Sequence, residues 1–490
     1  MPPDEPEVLR PRLEGRRGGS ADPPRGAPRT PAVDQRRVLL GRRPAGDRLA
    51  QGVLHADLCC RPRDRLECSR ARAGGQQPHN PAAIGIHRTG AAETNAPGRA
   101  RLNFRRLDAR ARRNLSAAGL AWFLLIAFAL TGWFVVIVPL RSDILDNDLT
   151  LVYIGIRIGL EHGWSHVYSL ALQHDLFVQL RPHAAFNDGE RFVSPPPFAW
   201  LVLPLSLFGA AGAVYAWLAI SVAALGMAWC LCFPLSPDPS PLRGEGALAG
   251  LFLLGALAWY PVLYGLSLAQ PDLVIVLIAA VAWRLAEANK PYLAGAVLGL
   301  SVIKPQLTLL LPLVLLFGGR WKIAAAWAGT AAVLALASLA AVGSQGLGDY
   351  LSLLNEAQHV TNNRYFTLAF VLGPGALSYV AQALVAVAAA AGAYLNRHAS
   401  HARVFALGIV ATSLGATYWH LQDFTVLVLA AWLFWRGAAP TWQRWWLLVI
   451  AVAAEFAWPL SPLPLLLTVL VWFAAMIAGR PARLVAASAR

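Results

Sequence analysis

Three acids, Asp143, Asp146 and Asp148, stand within six residues of one another, just after the first long apolar run of the chain. A carboxylate held at an aqueous membrane face can act as a general base toward a hydroxyl. Three acids this close would also suit a divalent cation, so metal dependence is open at this point. Asp148 is the best placed of the three as a base, with Asp146 next. The apolar stretch carrying Tyr153 follows Asp148 at once and would pin it against the membrane. The plainer reading is the solvated start of a polar loop.

A second candidate is Lys304, in LSVIKPQL, inside an apolar run of nearly thirty residues. A charge at bilayer depth costs about 2.5–3.5 kcal/mol on insertion scales, so this lysine needs a partner. Pro305 suits the first position of a new helix. A lysine beside a helix N-terminus is an anion site, with phosphate the obvious anion. The alternative is a lysine snorkelling to the interface. Gln270 and Pro271 repeat the design, and Asp272 follows as either a substrate contact or a first-turn acid favoured by the helix dipole. His420 and Asp423 stand i, i+3 in YWHLQDF, as a substrate-contacting or proton-handling pair or as a polar helix boundary. Arg364 belongs to a polar loop with Gln358, His359, Asn362 and Asn363. The five cysteines, Cys59, Cys60, Cys68, Cys230 and Cys232, have neither zinc-ligand spacing nor a disulfide framework. No Gly-rich phosphate loop is present.

These residues need a membrane scaffold, and the composition supplies one. Of 490 residues 56% are hydrophobic and 14% charged. Apolar runs recur at the length a bilayer-spanning helix needs, about 20 residues. The net charge of +15 is concentrated early, with more than half of the Lys and Arg before Asn114. Residues 1–100 are rich in Arg, Pro, Gly and Ala without apolar periodicity and are predicted to be disordered. Much of that segment is expected to be upstream sequence read through from a start assigned too early. Its lack of aromatics argues against a nucleic-acid partner.

The predicted membrane domain covers 101–480, followed by a cytoplasmic tail, 481–490. A basic run, 101–113, abuts the first span, 115–140, and holds that side in the cytoplasm. No small-residue cleavage site follows, so the segment is an anchor. Residues 141–197 then form a large structured outer loop. The triple proline 195–197 opens a short partial or re-entrant helix that runs to about 212. Further spans are predicted at 213–233, 247–264, 271–287, 292–304, 305–318, 322–343, 367–395, 402–417, 421–436, 445–458 and 461–478, for about twelve in all. This phase puts Arg243, Arg284, Lys290, Arg320, Lys322, Arg397, Arg403, Arg436, Arg444 and Arg480 inside, as the positive-inside rule asks. It puts the acids of the first loop, Gln270, Asp272, Lys304, Arg364 and His420 on the outer face. The fold class is an all-α polytopic membrane protein.

In order and spacing the motifs resemble the polyprenyl-phosphate-sugar-dependent membrane glycosyltransferases of family 87, in the C-type superfamily. The likeness runs over residues 115–479. An acid after the first span opens Asp148-Leu149-Thr150-Leu151-Val152-Tyr153. A small-residue helix, 155–163, leads to Val167-Tyr168, and Ser194-Pro195-Pro196 stands where the family has Y-P-P. Ala269-Gln270-Pro271-Asp272 stands for G-Q-x-N. Gly299-Leu300-Ser301-Val302-Ile303-Lys304-Pro305-Gln306 stands for a G-L-x-x-x-x-K-x-x-P pattern, with the proline moved next to the lysine. The Tyr before the prolines is Ser194, and the Asn after Gln270 is Asp272.

The resemblance implies a hexosyltransferase, with mannose the expected sugar, moved from a polyprenyl phosphate to a lipid or glycan acceptor with inversion. Asp148 would match the catalytic base, Lys304 would hold the leaving phosphate, and Arg364 and His420 would be phosphate or substrate contacts. Gln270, Asp272 and Tyr153 complete the expected substrate site. No cofactor is implied beyond a divalent metal that the acids leave open. Membrane lipids and the two substrates are the expected partners, in a bacterial plasma membrane with the site facing outward. A multi-span transporter or lipid flippase is the competing class. Against it, Gln270-Pro271 and Lys304-Pro305 lie in one half of the chain without counterparts in the other. A non-catalytic subunit of a cell-envelope complex is a third reading.

Overall fold

The apolar runs become helices because a chain in lipid must satisfy its own backbone N–H and C=O groups. In the computed structural model every long element is a helix, and no strand occurs among the described residues, which are 116–187, 189–233, 245–436 and 439–478. All of them belong to one unit, Glu93–Arg490. The segment 1–100, the basic run 101–113, Arg243, Arg480 and the tail 481–490 lie outside the described residues.

The first helix, Ser116–Ser142, is apolar around its whole circumference and exposes Trp122, Phe123 and Phe134. One π turn, Trp133–Ile137, comes directly before Pro139. A proline has no N–H to give the i→i−4 ladder, and the ladder is displaced there.

Twelve crossings are expected from the sequence, but fewer helices have the length for one. Four are long and apolar enough: Ser116–Ser142, Pro196–Cys232, Trp321–His359 and Ala376–Leu395. Ala249–Ala258 and Tyr260–Ser267, bent by 55°, make a fifth if the pair counts as one. Pro291–Ile303, Pro305–Phe317, His401–Gly415 and Leu463–Ala478 are shorter apolar helices of 10–17 residues. A short helix buried in protein has the same apolar signature as a crossing. His401–Gly415 is the clearest example, since nearly all its side chains are buried against other helices. Where a partial or re-entrant helix is expected after the triple proline, a short helix and a 3₁₀ stretch stand, Pro196–Val202 and Leu203–Phe208. These lead straight into Gly209–Cys232.

The 141–197 segment is folded, as its patterning predicts. Its first helix, Asp148–Glu161, is buried along most of its length. Asn147 caps it by accepting from the Thr150 N–H. A second helix, Leu170–Leu180, is anchored by Gln173, which bonds both Val167 and Phe192 backbone groups. Tyr168 donates to the Ser194 carbonyl at 2.8 Å and packs on Tyr350 with ring centroids 4.7 Å apart. Arg191 pairs with Glu356. Tyr350 and Glu356 belong to the long Trp321–His359 helix, beyond its kink at Gly343. There φ is +65°, a left-handed conformation open to glycine at little steric cost.

Lys304 is positioned by a close helix pair. Pro291–Gly299 packs on Trp321–His359 through Gly295 and Gly299. A Cβ on Gly295 would collide with the Ile323 carbonyl, and one on Gly299 with Thr330. Two small residues four apart let helix backbones approach in this way. The chain then passes through a 3₁₀ turn, Leu300–Ile303, and leaves helical geometry at Lys304 with φ −145° and ψ 76°. It resumes at Pro305–Thr308. The apolar run 292–318 is therefore two pieces, with the lysine at the break.

Candidate active site

The break at Lys304 faces the turn before Asp272–Glu287 and the 3₁₀ turn Gln422–Thr425. Three oxygens surround the Lys304 ammonium: Gln270 Oε1 at 2.8 Å, Asp272 Oδ1 at 2.6 Å and Asp423 Oδ1 at 2.5 Å. Gln270 and Asp272 accept hydrogen bonds from the ammonium and Asp423 faces it as an ion pair, so this lysine is held inside the protein. That answers the demand for a partner, and the lysine does not snorkel. Asp272 and Asp423 are buried, at 1% and 0% exposure, which a carboxylate tolerates only when paired. Gln270 has a second contact, since its Nε2 donates to Asp148 Oδ2. Asp148, Gln270 and Lys304 thus form one hydrogen-bonded line ending on two buried acids.

Backbone contacts hold this line. The Asp148 N–H donates to the Leu268 carbonyl at 3.1 Å, which ties the start of its helix to the turn carrying Gln270. The Gln270 N–H donates to the Gly265 carbonyl at 2.9 Å. Between them Ala269 is buried with φ +50°, a left-handed conformation unusual for a residue with a Cβ. Glycine stands there in the pattern that the turn resembles, and the strain sits directly before a site residue.

Burial pushes the Asp148 carboxyl up from 3.8 to about 6, with Glu190 and Asp423 adding to the rise and Lys304 and Gln270 opposing it. Asp148 keeps a partial opening to solvent, unlike Asp272 and Asp423. A carboxylate that titrates near neutrality is suited to accept a proton and later release it.

The remaining expected residues are distributed differently. His420 is close by, but its imidazole Nε2 pairs with Asn363 Oδ1 at 3.1 Å, not with Asp423. Asp423 Oδ2 instead accepts from the His420 backbone N–H at 2.9 Å. Burial and Lys304 lower the His420 pKa against the pull of Asp423, which favours the neutral ring. Asp146 and Asp143 both bind Arg181, at 2.9 Å, and do not join the Lys304 cluster. An exposed acid so close to an arginine on its own loop is taken by that partner. Arg364 donates to the Pro374 carbonyl at 2.7 Å and to Ser378 Oγ at 2.9 Å, and stacks over Tyr379. Its guanidinium ties its own turn to the start of Ala376–Leu395. Tyr153 is buried and its hydroxyl pairs with Arg157. Two other phenols, Tyr264 and Tyr418, lie near enough to feel the Asp148 charge. No group of three or more His, Cys, Asp or Glu among the described residues is arranged to hold a metal ion. Cys230 and Cys232 are free thiols.

The sequence points to Asp423 only as the partner of His420 and to Asn363 only as one of a polar loop, and neither is placed with Lys304 there. The i, i+3 spacing points Asp423 toward His420. Its decisive partner, Lys304, is remote in sequence, and only the lysine's need for a counter-charge signals it.

Residues 192–417 match the family model of glycosyltransferase family 87. Over that span the chain is similar to glycosyltransferase family 87. The match includes Gln270, Asp272, Lys304, Asn363 and Arg364, while Asp148, His420 and Asp423 stand outside it. It points to a glycosyltransferase and away from the transporter class, and the long apolar helices point to an integral membrane protein. Comparisons with curated proteins and with solved structures find no match.

Proposed function

We propose that this family 87 glycosyltransferase moves a hexose, mannose as the first choice, from a polyprenyl phosphate to a hydroxyl of a lipid or glycan acceptor at the outer face of a bacterial plasma membrane. The observation that carries the reading is the line Asp148–Gln270–Lys304, which couples a carboxylate titrating near neutrality to the cation of the site.

In the step, Asp148 takes the acceptor hydroxyl proton as that oxygen bonds to the anomeric carbon. The bond from the anomeric carbon to the donor phosphate oxygen breaks, and its electron pair leaves with the polyprenyl phosphate. A single displacement inverts the anomeric centre, so a β-linked donor gives an α-linked product. The leaving phosphate is met at Lys304, by exchange for one of the three oxygens that hold the ammonium. Such a cation acts where charge develops and is worth more in a buried site than in water. No nucleotide takes part in this reading.

The test is transfer by the purified full chain from radiolabelled polyprenyl-phosphate mannose to lipid and glycan acceptors. Product is expected from the wild type, and Asp148→Asn should abolish it while the protein stays folded. Full activity in that variant would remove Asp148 as the base.

A further inference from the structure

No hydrogen bond joins Asp423 to Asp148, but Asp423 carries the ion pair from the YWHLQDF turn to Lys304. One of its carboxylate oxygens lies 2.5 Å from Lys304 Nζ, and the other accepts the His420 N–H at 2.9 Å. The side chain is fully buried. The next residue, Phe424, packs edge-on against Trp419 and Phe366, with centroids 5.7 and 6.3 Å apart. The turn is also tied to the 361–364 turn, because the Trp419 N–H donates to the Asn363 carbonyl and the His420 ring meets the Asn363 amide. Asp423 is therefore held by packing on both sides, and its charge is aimed at one atom.

That atom has three donors. Asp272 accepts one of them and Gln270 Oε1 another, while Asp423 holds the charge as an ion pair. An amide whose oxygen accepts must present its NH₂ on the opposite side, and here Nε2 meets Asp148 Oδ2. We propose that Asp423 is a positioning residue for transfer: with Asp272 it fixes the Lys304 ammonium so that Gln270 is locked in the orientation that aims the Asp148 carboxylate. Without Asp423 the ammonium is free to turn, Gln270 can flip its amide, and Asp148 loses its donor. The functional meaning rests on Asp148 being the base in the reading above. The positional claim stands on the geometry of the three loops.

The groups that face Asp148 are Lys304, Asp423, Glu190 and Asp272, with the phenols of Tyr264 and Tyr418. Loss of Asp423 removes a repulsion but also releases the Gln270 donor, the larger of the two influences on the Asp148 carboxylate, so the Asp148 midpoint rises. Loss of the Lys304 charge raises it.

The experiment is an infrared pH titration of the protonated-carboxyl stretch in the full chain, with Asp148→Asn as the blank that isolates the Asp148 signal. It needs no substrate. Wild type is expected to titrate near 6, with both Asp423→Asn and Lys304→Gln above it. Turnover with polyprenyl-phosphate mannose should fall about tenfold to a hundredfold in Asp423→Asn, the scale for misplacing a reacting group by an ångström. Its KM for donor should change far less. An unmoved or lowered midpoint in Asp423→Asn, with that variant folded, overturns the inference, since a fall reports loss of the Asp423 charge with Gln270 still in place. If that variant unfolds, Asp423→Glu replaces it and must keep the midpoint near 6; a shift there equally overturns it. Moved midpoints with full transfer activity in Asp148→Asn would leave the positioning intact and refute the base assignment alone.

Discussion

Asp148→Asn should make the folded protein more stable at neutral pH while it abolishes transfer. The Asp148 carboxyl is pushed from 3.8 to about 6, chiefly by burial. At about 1.4 kcal/mol per pKa unit, the ionised carboxylate costs the folded state about 3 kcal/mol at neutral pH. Partial exposure of the side chain makes this a ceiling. The sign follows from proton counting: between 3.8 and 6 the folded protein binds more protons than the unfolded chain, so stability falls as pH rises through that window. The contribution is fully present below 3.8 and lost above about 6. Asparagine does not titrate, and its side-chain oxygen still accepts from Gln270. Thermal unfolding in detergent from pH 4 to pH 8 should show variant and wild type nearly equal at pH 4. The variant should pull ahead through pH 6, with a constant margin above that. A margin independent of pH, or a variant less stable at pH 7, would refute the burial argument. That outcome would return Asp148 to the status of a solvated loop acid.

Lys304→Met removes the cation from two buried carboxylates and should destabilise the protein by about 3–5 kcal/mol, read as a fall in unfolding temperature together with loss of transfer. Ala269→Gly relieves the left-handed conformation before Gln270; against the greater unfolded-state entropy of glycine it should be neutral or stabilising by up to about 1 kcal/mol, with activity kept. A denaturation midpoint well below wild type would contradict the strain reading. A cysteine in place of Asn187 should react with a membrane-impermeant thiol reagent applied from outside intact cells; protection there would invert the proposed orientation.

Much of the fold class was legible because its cause is local. Apolar runs of bilayer length can only be helices, and a basic flank marks the first of them. Lys304 was legible for a similar reason: one charge in a long apolar run demands a partner whatever the fold. Gln270 and Asp272 could be selected because a polar residue beside a proline marks the start of a helix. The number of crossings was not legible, because His401–Gly415 packs against protein where a crossing of the same composition would pack against lipid, and hydropathy alone cannot distinguish the two.

By itself, then, the sequence determined that the chain is a helical membrane protein whose unusual polar residues are Asp148, Gln270, Asp272, Lys304 and the YWHLQDF group. Tertiary structure decided who partners whom. It gave Asp146 to Arg181 and Arg364 to the turn before Ala376–Leu395, and it turned Asp423 from His420 toward Lys304. The physical reason is that an ammonium recognises oxygens by distance and direction, and the three that meet Lys304 come from turns far apart in the chain. Their meeting depends on the glycine-spaced approach of two helices and the packing around Phe424, which no local pattern encodes.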